Sequence, residues 1–494
     1  MITLSLLEIT QAVDGKLVLP STLAANEQAI HQQSVNHIGT DSRSLNVGDV
    51  FLALKGPRFD GHKFIEQVIA LGCSAVIVDH PLEENSSHVI PQIVVADTRI
   101  ALGKVAAYVK NKVSPKTVGI TGSSGKTTVK EMVAAILSRL GNVLATQGNF
   151  NNDIGVPLTL LRLEAHHDFA VIEMGANHMG EIAYTTNLVK PDIAIINNIA
   201  AAHLEGFGDL CGVARAKGEI FEGLSEQGVA LYNYDCKYAS KWQWRLTDKK
   251  VHRFSCNKPL ADIVSASSSQ SIDTYSSDVI LDENGCASFK LMTSIGSTYV
   301  ELTIPGKHNV CNAVAAAAIA IELGASLEDI QLGLAEMSPV KGRLNLYQLT
   351  DNIKLIDDTY NANVESIKAA IDLLASYPGK QILILGDMAE LGSVARTYHQ
   401  EVGEYASQQK VDCLLTLGVL SQSSSEAFNG NTSMHFSDRE LLLSALKNIL
   451  KPEQQQISIV VKGSRSAHME YVVEAIITWC SANLATNQNV EVQH

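Results

Sequence analysis

Apolar and polar positions along the chain fall into three stretches with different rhythms. In the first, strand-like runs such as GDVFLALKG (Gly48 to Gly56) and CSAVIVDH (Cys73 to His80) flank KFIEQVIALG (Lys63 to Gly72), whose apolar residues recur at helical spacing and stop at a glycine. This predicts a small α/β domain. The polar, proline-bounded segment Pro81 to Pro91 and the strand QIVVAD precede a helical pattern from Thr98, which sets a boundary near residue 96.

From residue 97 to 338 the strands KTVGIT, FAVIEMG and DIAIINN alternate with helical patterns, as a parallel sheet with crossover helices requires. Between Tyr275 and Pro305 the rhythm becomes β-rich around the Asn284-Gly285 turn, predicting an antiparallel hairpin at the sheet edge, followed by an alanine-rich helix. A third stretch from Pro339 alternates again: the strands KLIDDTYN, QILILGD, DCLLTLG and ISIVVKGS are separated by helices and predict a second parallel sheet of four strands. Neither α/β stretch contains GxGxxG, so a dinucleotide fingerprint is missing. The tail from Ser481 is polar.

Composition narrows the function classes. At 494 residues the chain has room for about three domains, and 46% hydrophobic against 18% charged residues excludes disorder over most of its length. With 38 basic and 52 acidic side chains the net charge is −14, a poor match for nucleic acid or an anionic membrane surface. The N-terminus lacks a basic n-region, and the longest small-apolar stretch, Ala313 to Ile321, is far shorter than the roughly 20 residues a bilayer needs. No membrane insertion is therefore expected. The eight cysteines are dispersed without metal-type spacing and read as reduced thiols, so a cytoplasmic location is expected.

The strongest chemical signal is TGSSGKTT, Thr121, Gly122, Ser123, Ser124, Gly125, Lys126, Thr127 and Thr128, between the strand KTVGI and the helix VKEMVAAIL. Strand, glycine-rich turn, lysine and helix is the context of a phosphate-binding loop, in which Lys126 supplies positive charge and the Thr127 hydroxyl a ligand for Mg²⁺. The eight-residue loop form would place its first glycine at Ile120, and here the first is Gly122. The alternative is an ordinary glycine/serine turn.

Glu173 ends the strand FAVIEMG at the edge where a metal-binding acid belongs, although a solvated carboxylate is the competing reading. His203 follows the next strand in a loop at the same edge, and a lone histidine is more often structural than a ligand. From spacing alone Lys217, in ARAKGEIF, is a surface lysine. Asp357 and Asp358 end a strand of the third stretch and Asp387, Lys462 and Arg465 follow others, where polar groups face a ligand crevice; a hinge-capping or solvated role is the alternative for each. Neither a GTPase NKxD motif (Asn257-Lys258-Pro259-Leu260 lacks the acid) nor kinase HRD and DFG motifs are present. An ATP-using enzyme is what remains.

The ordered set TDSR, FLALKGPRFDGHKF, TGSSGKTT, GNFNNDIGVP, EMGANHMGEI, AAHLEGFG, AKGEIF, PGKHNVCNA, KGRL, DDTYNAN, LGDMAELG and VKGSRS resembles the Mur ligases over nearly the whole chain. The shortened loop beginning at Gly122 is itself a mark of that family. The resemblance implies a UDP-substrate domain over 1–96, a central P-loop ATPase with a mainly parallel sheet over 97–338, and a Rossmann-like α/β domain over 339–494 that closes over the site. It also implies ATP, two Mg²⁺ ions and a carbamylated lysine at Lys217.

By the same resemblance Lys126, Glu173, His203 and Lys217 look catalytic, with Thr127, Glu173, His203 and Lys217 toward metal. Asn309 and Asn312 look like adenine contacts, and Arg343 and Asp358 like contacts to phosphate and ribose. Ser42 and Arg43 resemble a uridine-site motif, and Asn149, Asn151 and Asn152 resemble substrate-binding positions. Val364 stands where many relatives have proline.

The implied reaction is ATP-dependent ligation of D-alanyl-D-alanine to UDP-N-acetylmuramoyl-tripeptide through an acyl phosphate, by a monomer. GNFNNDIGVP and DDTYNAN favour the dipeptide-adding member, and no DNPR-like segment is present. A sibling ligase, a folylpolyglutamate-type ligase or a non-ligating ATP-dependent switch stand as alternatives.

Overall fold

The computed structural model describes residues 1–56, 59–82, 89–257, 272–450 and 455–483. Most of the polar boundary segment, Lys258 to Leu260 of the NKxD near-match, and the tail from 484 lie outside the described residues. Three sheets organise three α/β domains. The N-terminal sheet has five strands, with Ile38–Gly39, Val50–Leu52, Ala75–Val78 and Gln92–Val94 parallel and Lys16–Val18 antiparallel at the edge. Ala75–Val78 is buried throughout, as a parallel strand covered on both faces must be. Its preceding helix, Ile65–Leu71, ends at Gly72 in the left-handed conformation, φ 88°.

The central sheet has nine strands. Lys116–Thr121 lies between Phe169–Glu173 and Ile193–Ile196, all parallel, so the three carboxyl ends open on one edge. The helix Lys126–Leu137 springs from the first of them. It packs on the alanine-rich helix His308–Glu322 and on Leu327–Ala335, where a side chain at Gly333 would meet the Ile136 backbone at 2.6 Å. Small residues therefore let the helices behind the loop approach closely.

Three expectations are corrected. The edge hairpin is a three-stranded antiparallel meander, Thr274–Leu281, Cys286–Thr293 and Gly296–Pro305. The C-terminal sheet has six strands rather than four. Asn345–Thr350 adds antiparallel at one edge and Thr432–Phe436 parallel at the other. Both added strands are partly exposed and carry no continuous apolar run, so hydrophobic periodicity gave no sign of them. Of the eight cysteines, Cys256 and Cys311 form a disulfide; the other six are free thiols. Among the described residues no helix is long and apolar enough to cross a membrane.

Among the described residues the central and C-terminal domains touch at three places, one of them the loop at His203, where the Glu205 amide donates to the Glu390 carbonyl at 3.3 Å. Beside the phosphate loop, Arg343 and Asn363 reach the central domain. At the Asn284-Gly285 turn, the Tyr377 hydroxyl donates to the Asn284 carbonyl at 2.6 Å, and Lys354 Nζ donates to Asn284 Oδ1 at 2.8 Å.

Candidate active site

Gly125 holds φ 74° where the loop turns into the helix, and the helix has no side-chain cap, so its first amides and the positive end of its dipole face outward. The amides of Ser123 and Ser124 are bonded to Asn198, to its carbonyl at 3.1 Å and its Oδ1 at 2.9 Å. The first turn of the helix is thus where the loop presents donors to an anion. Lys126 Nζ donates to the Gly122 carbonyl at 2.8 Å, and burial lowers its pKa. Thr121 is buried and its hydroxyl donates to the Met174 carbonyl, which makes it a loop anchor.

The Thr127 hydroxyl is the centre of the site. It donates to Glu173 Oε2 at 3.0 Å and accepts from Arg343 Nη2 of the C-terminal domain, 3.3 Å from Thr127 Oγ1. The Arg343 guanidinium stacks over the Tyr360 ring, 4.3 Å from its centroid. Asn151 Nδ2 donates to Glu173 Oε1 at 2.8 Å, so both carboxylate oxygens are fixed.

Lys217 is fully buried, which corrects the surface lysine that spacing alone suggested. It occupies the inner face of the helix Leu210–Gly218, and no acceptor lies within hydrogen-bond reach of its Nζ. Burial, with Lys126 nearby, pushes its pKa down to about 7. His203 holds φ 55° at the start of the short helix Leu204–Phe207 and pairs through Nδ1 with Glu390 of the C-terminal domain, and that contact lowers the Glu390 pKa.

A cavity of about 700 Å³ runs from Ser124, Gly125 and Thr128 to Asp358 and Lys462, walled by both domains. Asn309 and Asn312 line it and are chained by hydrogen bonds. Asn197 Nδ2 donates to Asn312 Oδ1 at 3.0 Å, Asn312 Nδ2 to Asn309 Oδ1 at 2.9 Å, and Asn309 Nδ2 to the Pro305 carbonyl at 2.7 Å. Asp358 pairs with the buried Lys462.

Other predicted residues lie elsewhere or have different partners. Asn152 Oδ1 accepts from the Gly155 amide at 2.8 Å and so caps the turn that starts the helix Gly155–Leu160, while Asn149 is exposed. Ser42 and Arg43 border a separate cavity of about 580 Å³ in the N-terminal domain, and Arg43 is paired with Asp41 at 2.7 Å. Asp387, expected at the crevice, accepts the Val419, Leu420 and Ser421 amides, and Arg465 pairs with Glu470. Sequence reasoning missed Asn197, Asn198 and Glu390. The first two end the strand run DIAIINN at the carboxyl edge, a signal available in the pattern; Glu390 lies in the quoted segment LGDMAELG, but no spacing ties it to His203.

Known proteins match this chain over nearly its whole length. Models of the Mur ligase family, catalytic domain, the Mur ligase middle domain and the Mur ligase, glutamate ligase domain match residues 34–110, 120–320 and 342–465. The UDP-N-acetylmuramoyl-tripeptide--D-alanyl-D-alanine ligase of Escherichia coli (strain K12) is 46% identical over 96% of this chain and 99% of its own. The Bacillus subtilis (strain 168) protein of the same name is 35% identical over 97% and 99%. The crystal structure of MurF from Acinetobacter baumannii superposes with a TM-score of 0.87 at 38% identity, covering 96% and 99%. That of the Thermotoga maritima MurF ligase in complex with ADP gives 0.79 at 26%, covering 90% and 98%. The chain belongs to the Mur ligase family.

Proposed function

We propose that this chain joins D-alanyl-D-alanine to UDP-N-acetylmuramoyl-tripeptide at the expense of ATP. The observation that carries the reading is the Thr127 hydroxyl, touched at once by Glu173 of its own domain and Arg343 of the next. ATP would lie in the 700 Å³ cavity, with adenine toward Asn309 and Asn312, ribose toward Asp358 and the phosphates along Gly122 to Thr128. In this reading the terminal carboxylate of the tripeptide attacks the γ-phosphorus. The bond to the β-γ bridging oxygen breaks, giving an acyl phosphate and ADP. The dipeptide amine then attacks the acyl carbon, and the tetrahedral intermediate collapses to an amide, releasing phosphate and a proton.

The chain's own groups position and neutralise. Lys126 and Arg343 offset charge on the transferring phosphoryl group from opposite domains, and closure between the domains excludes water that would hydrolyse the acyl phosphate. The donor set suits Mg²⁺: a hydroxyl and a carboxylate oxygen 3.0 Å apart, with His203 at the same sheet edge. Bound there, Mg²⁺ would neutralise phosphate charge. Lys217, unpartnered and with its pKa near 7, is partly neutral at physiological pH, as an amine must be to add CO₂. Its carbamate would supply an anion facing a second Mg²⁺.

Further parts of the reading are bounds of 1–96, 97–338 and 339–494 for the domains, a UDP site at Ser42 and Arg43, Asn149, Asn151 and Asn152 beside the tripeptide, and a cytoplasmic monomer. The test is phosphate release from MgATP and the UDP-tripeptide with and without D-alanyl-D-alanine, with the product mass read in parallel. Release that needs both, with a pentapeptide product, is expected. Release without the dipeptide, or a different amino acid joined, overturns it.

A further inference from the structure

A second cluster of ligand-type side chains lies in the N-terminal domain, outside the nucleotide cavity. His62 stands in the turn Gly61–Phe64, and Asp79 and His80 follow directly on the buried strand Ala75–Val78. His62 Nε2 is 3.1 Å from Asp79 Oδ1, and His80 Nδ1 is in contact with the same oxygen. One ligand atom from each of the three residues falls within 4.8 Å of the others. The two rings lie nearly parallel, with centroids 4.7 Å apart.

The hydrogen bonds of His62 define its proton. Its Nδ1 faces Asp60 Oδ1 at 2.8 Å, and a carboxylate there can only accept, so Nδ1 carries the hydrogen. On the other side the Asp79 amide donates to Nε2 at 3.3 Å, so Nε2 presents a lone pair. That nitrogen also lies 3.1 Å from Asp79 Oδ1, a contact bridged by a second ring proton when the imidazole is charged and open to a metal ion when it is neutral. A metal ion bound there takes the place of that proton between the ring nitrogen and the carboxylate. Lys55 Nζ does not fill this role, being 3.8 Å from the other oxygen, Oδ2. Asp60 behind Nδ1 is the outer carboxylate that commonly orients a metal-binding histidine.

We propose that His62, Asp79 and His80 bind a divalent transition ion of the Zn²⁺ type. Two imidazoles and a carboxylate suit Zn²⁺, with water as fourth ligand, whereas Mg²⁺ and Ca²⁺ select oxygen donors. The 3.3 Å amide contact is given up for the metal bond. The ion ties the end of a core strand to the turn carrying Phe64, which with Phe59 lines the 580 Å³ cavity. It is thereby placed to hold the shape of that cavity.

The test uses the full chain in a large excess of Mg²⁺, which occupies the oxygen-rich nucleotide site. Zn²⁺ retention is measured by equilibrium dialysis, and Co²⁺ spectra are recorded on the same samples. Wild type should retain one Zn²⁺ per chain and give the intense visible bands of tetrahedral Co²⁺. The His80 side chain is 59% exposed, so His80→Ala should fold normally; it should bind Zn²⁺ on the order of tenfold or more weaker and lose the Co²⁺ bands. No Zn²⁺ retained by wild type, or equal retention by a folded His80→Ala, overturns the proposal.

Discussion

Arg343 crosses from the C-terminal domain to the Thr127 hydroxyl at 3.3 Å, so the phosphate loop of one domain has a guanidinium from another. Arg343→Ala should reduce turnover on the order of 10²-fold or more while leaving the melting temperature within a few degrees, because the group acts on charge developing in the transition state. Arg343→Lys should recover little, since an ammonium cannot stack flat on Tyr360. Steady-state kinetics on the folded variants decide; near-normal ligation by Arg343→Ala would contradict the role.

Lys217 sets stability against function. Its pKa is lowered from 10.5 to about 7, so holding it in the folded chain has its full cost below about pH 7. As pH rises from 7 to 10.5 the unfolded amine still binds a proton and the folded one does not, so the cost fades across that window. Lys217→Met should therefore stabilise the unliganded protein by a few kcal/mol below pH 7, with the gain vanishing near pH 10.5, and should abolish ligation. Thermal melts between pH 6 and 10 read the first effect, and phosphate release reads the second.

The adjacent asparagines 151 and 152 should separate cleanly. Asn151→Ala frees a carboxylate oxygen of Glu173 and should weaken Mg²⁺-dependent activity about 10- to 100-fold. Asn152→Ala removes the acceptor of the Gly155 amide in the turn before the helix and should cost about 1 kcal/mol of stability, with smaller kinetic loss. Mg²⁺ titrations of activity, alongside denaturation curves, distinguish the two; equal effects on Mg²⁺ dependence would show that Glu173 is not held by Asn151.

Glu390 pairs with His203 across the domain interface. Glu390→Ala should loosen the closed arrangement, raising the KM for ATP more than it lowers kcat and increasing the radius of gyration in small-angle scattering of the ATP-bound protein. An unchanged scattering profile and KM would assign the pair no part in closure.

Much of this was legible in the sequence, because parallel strands buried on both faces leave unbroken apolar runs and because the loop Thr121 to Thr128 sits where strand meets helix. The edge strands Asn345–Thr350 and Thr432–Phe436 left no such run. Side-chain partnerships were hidden for a different reason. Asn151 and Asn152 are neighbours in an apparently uniform polar segment, yet one fixes a carboxylate and the other a helix end, and only the path of the backbone separates them. Lys217 looked like any basic residue on a helix until the surrounding elements closed over it. The meeting of Arg343 with Thr127 spans 216 positions, beyond the reach of any local pattern.

The grip of Tyr377 and Lys354 on the Asn284-Gly285 turn is a second anchor apart from the phosphate loop, placed where a fulcrum would be. Were the C-terminal domain to turn about that point, Arg343, Asn363 and Glu390 would withdraw with it, and their contacts with the phosphate loop and His203 would be made or broken together. Product escape and ATP entry would then be two phases of a single swing, and stiffening the anchor should slow both.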